Sequence, residues 1–254
     1  MDKRIGAQYF TLREYTRTIE DFEETCRKVS EIGYKIVQIS GTPLGAAEMK
    51  PILDRYGLEV VTTHRSFDDF QKDLDEIMDY NRTLGCKLCG VGCMPGWARE
   101  SSDALSRFIR EANEMAARLK EEGFYFGYHN HAIEFARLDG KFIMDRLIEE
   151  TDPDAFRFIL DTYWLQVGGM NPASYIRNLG ERAMAIHLKD LKANTDNSTE
   201  MAEIGEGNLD WDEILKVCEE AGAKWALVEQ DVCKRDPFTS MKISYDYLAG
   251  KGYC

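Results

Sequence analysis

The stretch Leu119-Lys120-Glu121-Glu122-Gly123-Phe124-Tyr125-Phe126-Gly127-Tyr128-His129-Asn130-His131 holds the unit that decides the fold. It opens on the last member of a helical stripe: Leu105, Phe108, Ile109, Ala112, Ala116 and Leu119. Their 3.6-residue spacing predicts one buried helix face, with an N-cap in Ser101-Ser102-Asp103. Gly123 ends the helix, because the left-handed conformation past a helix carries no Cβ penalty for glycine. Phe124 to Tyr128 then reads as a strand, and it stops at the polar run His129-Asn130-His131, with Glu134 just beyond.

The same unit recurs along the chain. Gly33, Gly57, Gly85 and Gly222 each precede a short β-branched or aromatic run, beginning at Tyr34, Leu58, Cys86 and Lys224. Further stripes, Phe22-Cys26-Val29-Ile32 and Phe67-Phe70-Leu74-Ile77-Met78, predict the helices between them. Arg4 to Phe10, Phe156 to Leu160 and Ala183 to His187 complete eight strand candidates, spaced by roughly 25 to 40 residues. Strands alternating with helices imply parallel βαβ units, and eight of them in about 250 residues fit one α/β domain over residues 1–254, a (β/α)₈ TIM barrel. The rival is an open doubly wound sheet, but Gln8-Tyr9-Phe10-Thr11-Leu12 lacks the glycines of its phosphate-binding turn. The longest irregular segment is expected at about Ala193 to Asn208, over one barrel mouth.

The net charge of −13 argues against a nucleic-acid partner, whose phosphates are met by Lys and Arg. No stretch approaches the roughly 18 apolar residues of a membrane span, and Met1-Asp2-Lys3-Arg4 leads into no long apolar leader. Seven cysteines without an extracellular signal predict reduced thiols in a cytoplasmic protein. Cys86, Cys89 and Cys93 do not suit an iron–sulfur cluster, since residues three apart on a strand face opposite ways, about 10 Å apart. The partners predicted are a small-molecule sugar and no membrane, with a homo-oligomer allowed.

In such barrels the active site lies at the C-terminal ends of the strands. The third apolar run stops at His64, the fifth at His129 and His131 with Glu134 beyond, and the sixth at Asp161. The seventh stops at His187 and the eighth at Glu229. Each has an ordinary reading alone; an Asp after a strand is often just the N-cap of the next helix. Five such ends together are different, because carboxylates gathered in a buried place need a compensating cation or protons. A mixed Glu, Asp and His set suits Mn²⁺, Mg²⁺ or Co²⁺, with Zn²⁺ also able to bind. Gly205-x-Gly207 reads either as a phosphate cradle or as a turn into a helix capped near Asp210. Tyr163 and Trp164 read either as an aromatic wall for a sugar or as packing.

Taken together, His129-Asn130-His131-Ala132-Ile133-Glu134-Phe135, Leu160-Asp161-Thr162-Tyr163-Trp164, His187-Leu188-Lys189-Asp190, Gly205-x-Gly207-x-Leu209-Asp210-Trp211 and Val228-Glu229-Gln230-Asp231 resemble the xylose-isomerase-like sugar phosphate isomerase/epimerase superfamily. The resemblance spans nearly the whole chain. It implies a metal held by Glu134, Asp161, His187 and Glu229, with His129 and His131 left as second-layer or substrate-facing groups. It also implies an isomerase or epimerase of a ketose or keto-sugar working through an enediolate, with Glu134 and Glu229 as general base and acid. His64, His131, Trp164 and Lys189 are the candidates to bind substrate. A dehydratase or lyase acting on a keto-inositol or 3-keto-glycoside would use the same site, and a non-catalytic sugar-binding protein is the third alternative. The endonuclease branch of the superfamily is richer in histidine than this acidic chain.

Overall fold

Every apolar run singled out above becomes a strand. The structure, a computed structural model, describes residues 1–254. The strands are β1 (Ile5–Gln8), β2 (Ile36–Ile39), β3 (Glu59–Arg65), β4 (Leu88–Val91), β5 (Tyr125–His129), β6 (Phe156–Asp161), β7 (Ala183–Leu188) and β8 (Trp225–Val228). Neighbours in sequence pair in parallel, and β8 returns to β1 with Ala226 opposite Ile5 and Val228 opposite Ala7. The sheet therefore closes into the (β/α)₈ barrel, and the open-sheet alternative is excluded.

Residues two apart on a strand face the same side, and this parity builds the interior. Ile36, Val61, Leu88, Ile159, Met184, Ala185 and Leu227 form a small apolar layer of their own. Their neighbours Val37, Cys89, Leu160, Ile186 and Val228 belong instead to the main core between strands and helices. Each large apolar side chain so buried contributes roughly 1.5–3 kcal/mol. Counting on by two from Ile36, Ile159, Ala185 and Leu227 reaches Gln38, Asp161, His187 and Glu229. A polar layer thus sits directly on an apolar floor.

The helices follow their sequence signals. The helix Ser102–Glu121 is capped by Ser101, whose hydroxyl accepts from Ala104 N at 3.1 Å. The glycines that stop helices before β2, β3, β4, β5 and β8 all take positive φ.

The segment expected as irregular is more ordered than the sequence suggested. Asp190–Ala193 and Thr199–Ala202 pair as an antiparallel hairpin. The chain beyond is gathered on Asp190, whose carboxylate accepts from Leu191, Gly205, Gly207 and Leu209 N and from Trp211 Nε1 at 2.6–3.2 Å. A Cβ on Gly207 would meet Asp190 Oδ1 at 2.3 Å, so only glycine allows this approach. Of the two readings of Gly205-x-Gly207, the turn is the one adopted: its amides are spent on a side chain of the protein itself.

Candidate active site

Four side chains at the ends of β5 to β8 converge on one point. His129, Asp161, His187 and Glu229 each offer a ligand atom within 4.8 Å of the others, and all four residues are buried. No other group of three or more His, Cys, Asp or Glu side chains is placed to hold a metal ion. All seven cysteines are free thiols, and Cys86 and Cys89 are buried.

Hydrogen bonds orient both imidazoles. His129 Nδ1 lies 3.0 Å from the Gly92 carbonyl, which can only accept, so Nδ1 carries the proton and Nε2 keeps its lone pair. That Nε2 points to Asp161 Oδ2, 3.4 Å away. His187 Nε2 lies 2.8 Å from Gln38 Oε1, which assigns the proton there and frees Nδ1. His187 Nδ1 and Glu229 Oε2 are 2.8 Å apart, yet neither has a partner in hydrogen-bonding geometry. Two buried lone pairs facing each other at that distance call for a cation between them. The donor set fits a metal ion.

Asp161 serves two ends at once. Its Oδ1 caps the helix Thr162–Val167 by accepting from Trp164 N at 2.9 Å, while Oδ2 turns to the centre. The ordinary reading of this residue as an N-cap holds, and its second oxygen still faces the cluster. Its own backbone N–H is fixed by Asn130 Oδ1 at 3.0 Å.

Glu134 stands apart from the group that the resemblance placed it in. Its Oε1 accepts from the Tyr128 hydroxyl at 2.6 Å and its Oε2 from His131 N at 2.7 Å. Both oxygens thus accept hydrogen bonds within the turn that follows β5, and the fourth ligand-type side chain facing Asp161, His187 and Glu229 is His129. The physical reason is strand parity: Tyr128 faces the outer core, so His129 faces the barrel. Burial raises the Glu134 pKa despite those bonds.

The expected substrate-binding residues do surround the centre. The His64 ring lies 5.2 Å from that of His129 and 5.5 Å from that of His187, and His131 lies 4.8 Å from His129. All four histidines of the chain form one cluster. A Cβ at Gly90 would come within 2.6 Å of the His64 ring, so glycine on β4 leaves that ring its space. Trp164 packs 5.3 Å from His131, and its indole N–H is buried without a partner, as are His64 Nε2 and His131 Nδ1. His64 and His131 line a cavity of about 440 Å³ that opens past Asp231 toward Ser40 and Arg65.

Charge is distributed unevenly. Burial pulls the pKa of His64 well below the usual imidazole value and that of His131 down to about 3, so both are neutral at pH 7. Burial also lowers His187, while at His129 the Asp161 carboxylate outweighs burial and raises it. Lys189 is fully buried with its Nζ 2.9 Å from Asp161 Oδ2, 2.8 Å from Glu229 Oε2 and 3.1 Å from Asp231. Burial acts against ionisation of Asp161 and Glu229, but Lys189 prevails and holds both below the usual carboxylate range. Asp231 enters the sequence patterns only as the end of Val228-Glu229-Gln230-Asp231, with no role attached, and Gln38 and the Gly92 carbonyl enter none. For Gln38, parity with the apolar Ile36 would have revealed it.

Comparison with known proteins agrees with this geometry. The inosose dehydratase of Lacticaseibacillus casei is 23% identical over 265 residues, covering 89% of this chain and 88% of that protein. A sugar phosphate isomerase/epimerase from Parabacteroides distasonis superimposes with a TM-score of 0.83 at 22% identity, over 100% of this chain and 96% of the other. A xylose isomerase-like TIM barrel protein from Mycobacterium smegmatis, solved in complex with magnesium, does so at 0.75 and 13% identity, over 98% and 97%. No helix is long and apolar enough to cross a membrane. The sequence profile of xylose isomerase-like TIM barrels matches residues 26–248, and the chain belongs to that family.

Proposed function

We propose that this chain is a divalent-metal-dependent enzyme that removes the proton next to the carbonyl of a keto-inositol or keto-sugar and then expels water. His129 Nε2, Asp161 Oδ2, His187 Nδ1 and Glu229 Oε2 would hold the ion. When bound, it supplies Lewis acidity toward the substrate's carbonyl and neighbouring hydroxyl oxygens. With two imidazoles in the set, the donors favour Mn²⁺, Co²⁺ or Zn²⁺ over Mg²⁺.

The asymmetry of the carboxylates carries the choice of elimination. Inverting a carbon with two bases needs a group on each side of it. Glu229 lines the cavity, and with Oε2 given to the ion its other oxygen is left for the proton, whereas both oxygens of Glu134 are engaged by Tyr128 and His131 away from it. Elimination needs one base and a donor to the departing hydroxyl. Glu229 takes the proton in this reading and passes it to the departing hydroxyl, which leaves as water. The indole N–H of Trp164, unpartnered beside His131, donates to a substrate oxygen, and neutral His64 and His131 bind hydroxyls without adding charge. The inosose dehydratase among the relatives supports the same outcome.

Isomerisation or epimerisation is the second reading, favoured by the likeness to the sugar phosphate isomerase/epimerase. It would assign the returning proton to a group other than Glu134. Product analysis by NMR in D₂O, across keto-inositols and ketoses with Mn²⁺ present, separates the two. Loss of water supports elimination; deuterium at an inverted or transposed carbon with all oxygens retained would replace it with epimerisation or isomerisation.

A further inference from the structure

Lys189 is unexplained by a metal centre alone. Its ammonium lies against Asp161 Oδ2 and Glu229 Oε2, the same two oxygens that the donor set offers to a metal ion. Two cations on one pair of oxygens repel strongly in a low-dielectric interior. The two oxygens therefore cannot serve both in full.

Asp231 offers a way out. Both of its oxygens lie 3.1 Å from Lys189 Nζ, and it lines the cavity wall outside the donor set. The charges also balance. Asp161, Glu229 and Asp231 carry three negative charges and Lys189 one positive, which leaves two, the charge of one divalent cation. A buried carboxylate pair stripped of its counter-ion is strongly unfavourable, so the metal-free centre needs the ammonium where it is. The flexible four-carbon stem of lysine allows its charge to shift without moving the backbone.

We propose that Lys189 is a resident counter-ion that yields Asp161 and Glu229 to an incoming divalent metal by moving wholly onto Asp231. The metal-free carboxylates then keep one counter-ion among them, while the loaded centre is charge-balanced and keeps an ammonium at the cavity wall. This rests on the metal-centre reading above. The residue is a positioning group for charge, and its effect is legible without turnover.

The test uses the full chain, stripped with a chelator and titrated with Mn²⁺ by calorimetry, alongside melting curves with and without Mn²⁺. K189M should bind Mn²⁺ about tenfold more tightly, or better, because the competing charge is gone. Its metal-free form should melt below the wild type, and Mn²⁺ should raise its melting temperature by more. D231N should weaken Mn²⁺ binding about tenfold, since Lys189 loses its second seat, and that effect should largely vanish in K189M/D231N. K189M binding no more tightly than wild type overturns the proposal, as does a D231N effect that persists undiminished in the double variant. Should K189M not stay folded without metal, D231N binding as well as wild type overturns it. Binding of Mn²⁺ by none of the proteins, wild type included, removes the metal-centre reading and the proposal with it.

Discussion

Asp190 and Glu229 are buried carboxylates that follow adjacent strands, and they are treated in opposite ways. Asp190 accepts from four backbone amides and an indole, and thereby holds the whole segment from Leu191 to Trp211. Glu229 keeps an oxygen without a hydrogen-bond donor, beside an imidazole lone pair and an ammonium. A carboxylate saturated with N–H groups is a structural pin, because its needs are met by the fold itself. One left unsaturated in the interior waits for something the fold does not supply. By that measure Glu134 belongs with Asp190, and Asp161, with one oxygen in each role, belongs with both.

Four substitutions press on this contrast. E229Q should be the most damaging to function, lowering kcat by about 10²–10⁴-fold, the range for loss of a general base. Retained turnover in a steady-state assay would remove Glu229 from the chemistry. D190A should damage the fold instead, by about 3–5 kcal/mol in urea denaturation, because it strands several buried donors at once. A loss confined to activity, with stability unchanged, would erase the distinction between the two carboxylates. Q38L removes the acceptor that fixes the His187 proton and should weaken Mn²⁺ binding about tenfold with little effect on melting. Affinity equal to wild type would show that His187 orients itself.

The smallest effect is expected from E134Q, which should leave Mn²⁺ affinity as it is and change stability by about 1 kcal/mol. Abolished binding would return Glu134 to the ligand set. Acid adds a second check. Burial raises the Glu134 pKa in the folded protein, so its ionised form costs stability at neutral pH. That cost is relieved as pH falls from the raised value toward about 4.3, the unfolded value, and the wild type should gain on E134Q across that window. Parallel denaturation curves for the two proteins would contradict this.

Much of the barrel was legible because its signals are local. A stopping glycine and a run of β-branched or aromatic residues lie within one window of sequence and mark five strands, and the apolar runs alone mark the other three. The strand ends likewise pointed to Asp161, His187 and Glu229, which the structure brings together with Lys189, His64, His131 and Trp164 around them. The choice between His129 and Glu134 was harder. Resemblance points to the glutamate, while the parity of Gly127 and His129 against Tyr128 turns the histidine toward the cluster, and Glu134 caps the turn after β5. Gln38 lies two residues beyond the apolar Ile36, so parity places it on the inner face, but its partner His187 lies across the barrel on β7, which no local pattern shows. The hairpin at Asp190–Ala202 was missed because its order comes from a single side chain that meets residues well downstream.

The apolar layer beneath the site also bears on kinetics. Ile36, Leu88, Ile159 and Leu227 are fully buried and make an apolar floor beneath the site, while the cavity opens on the other side. In the proposed reaction, a proton taken up by Glu229 while substrate covers the cavity mouth would be shielded from solvent and would return to the molecule it came from more readily than it washes out. The partition of an isotopic label between recovered substrate and bulk water thus acts as a clock for how long the mouth stays shut.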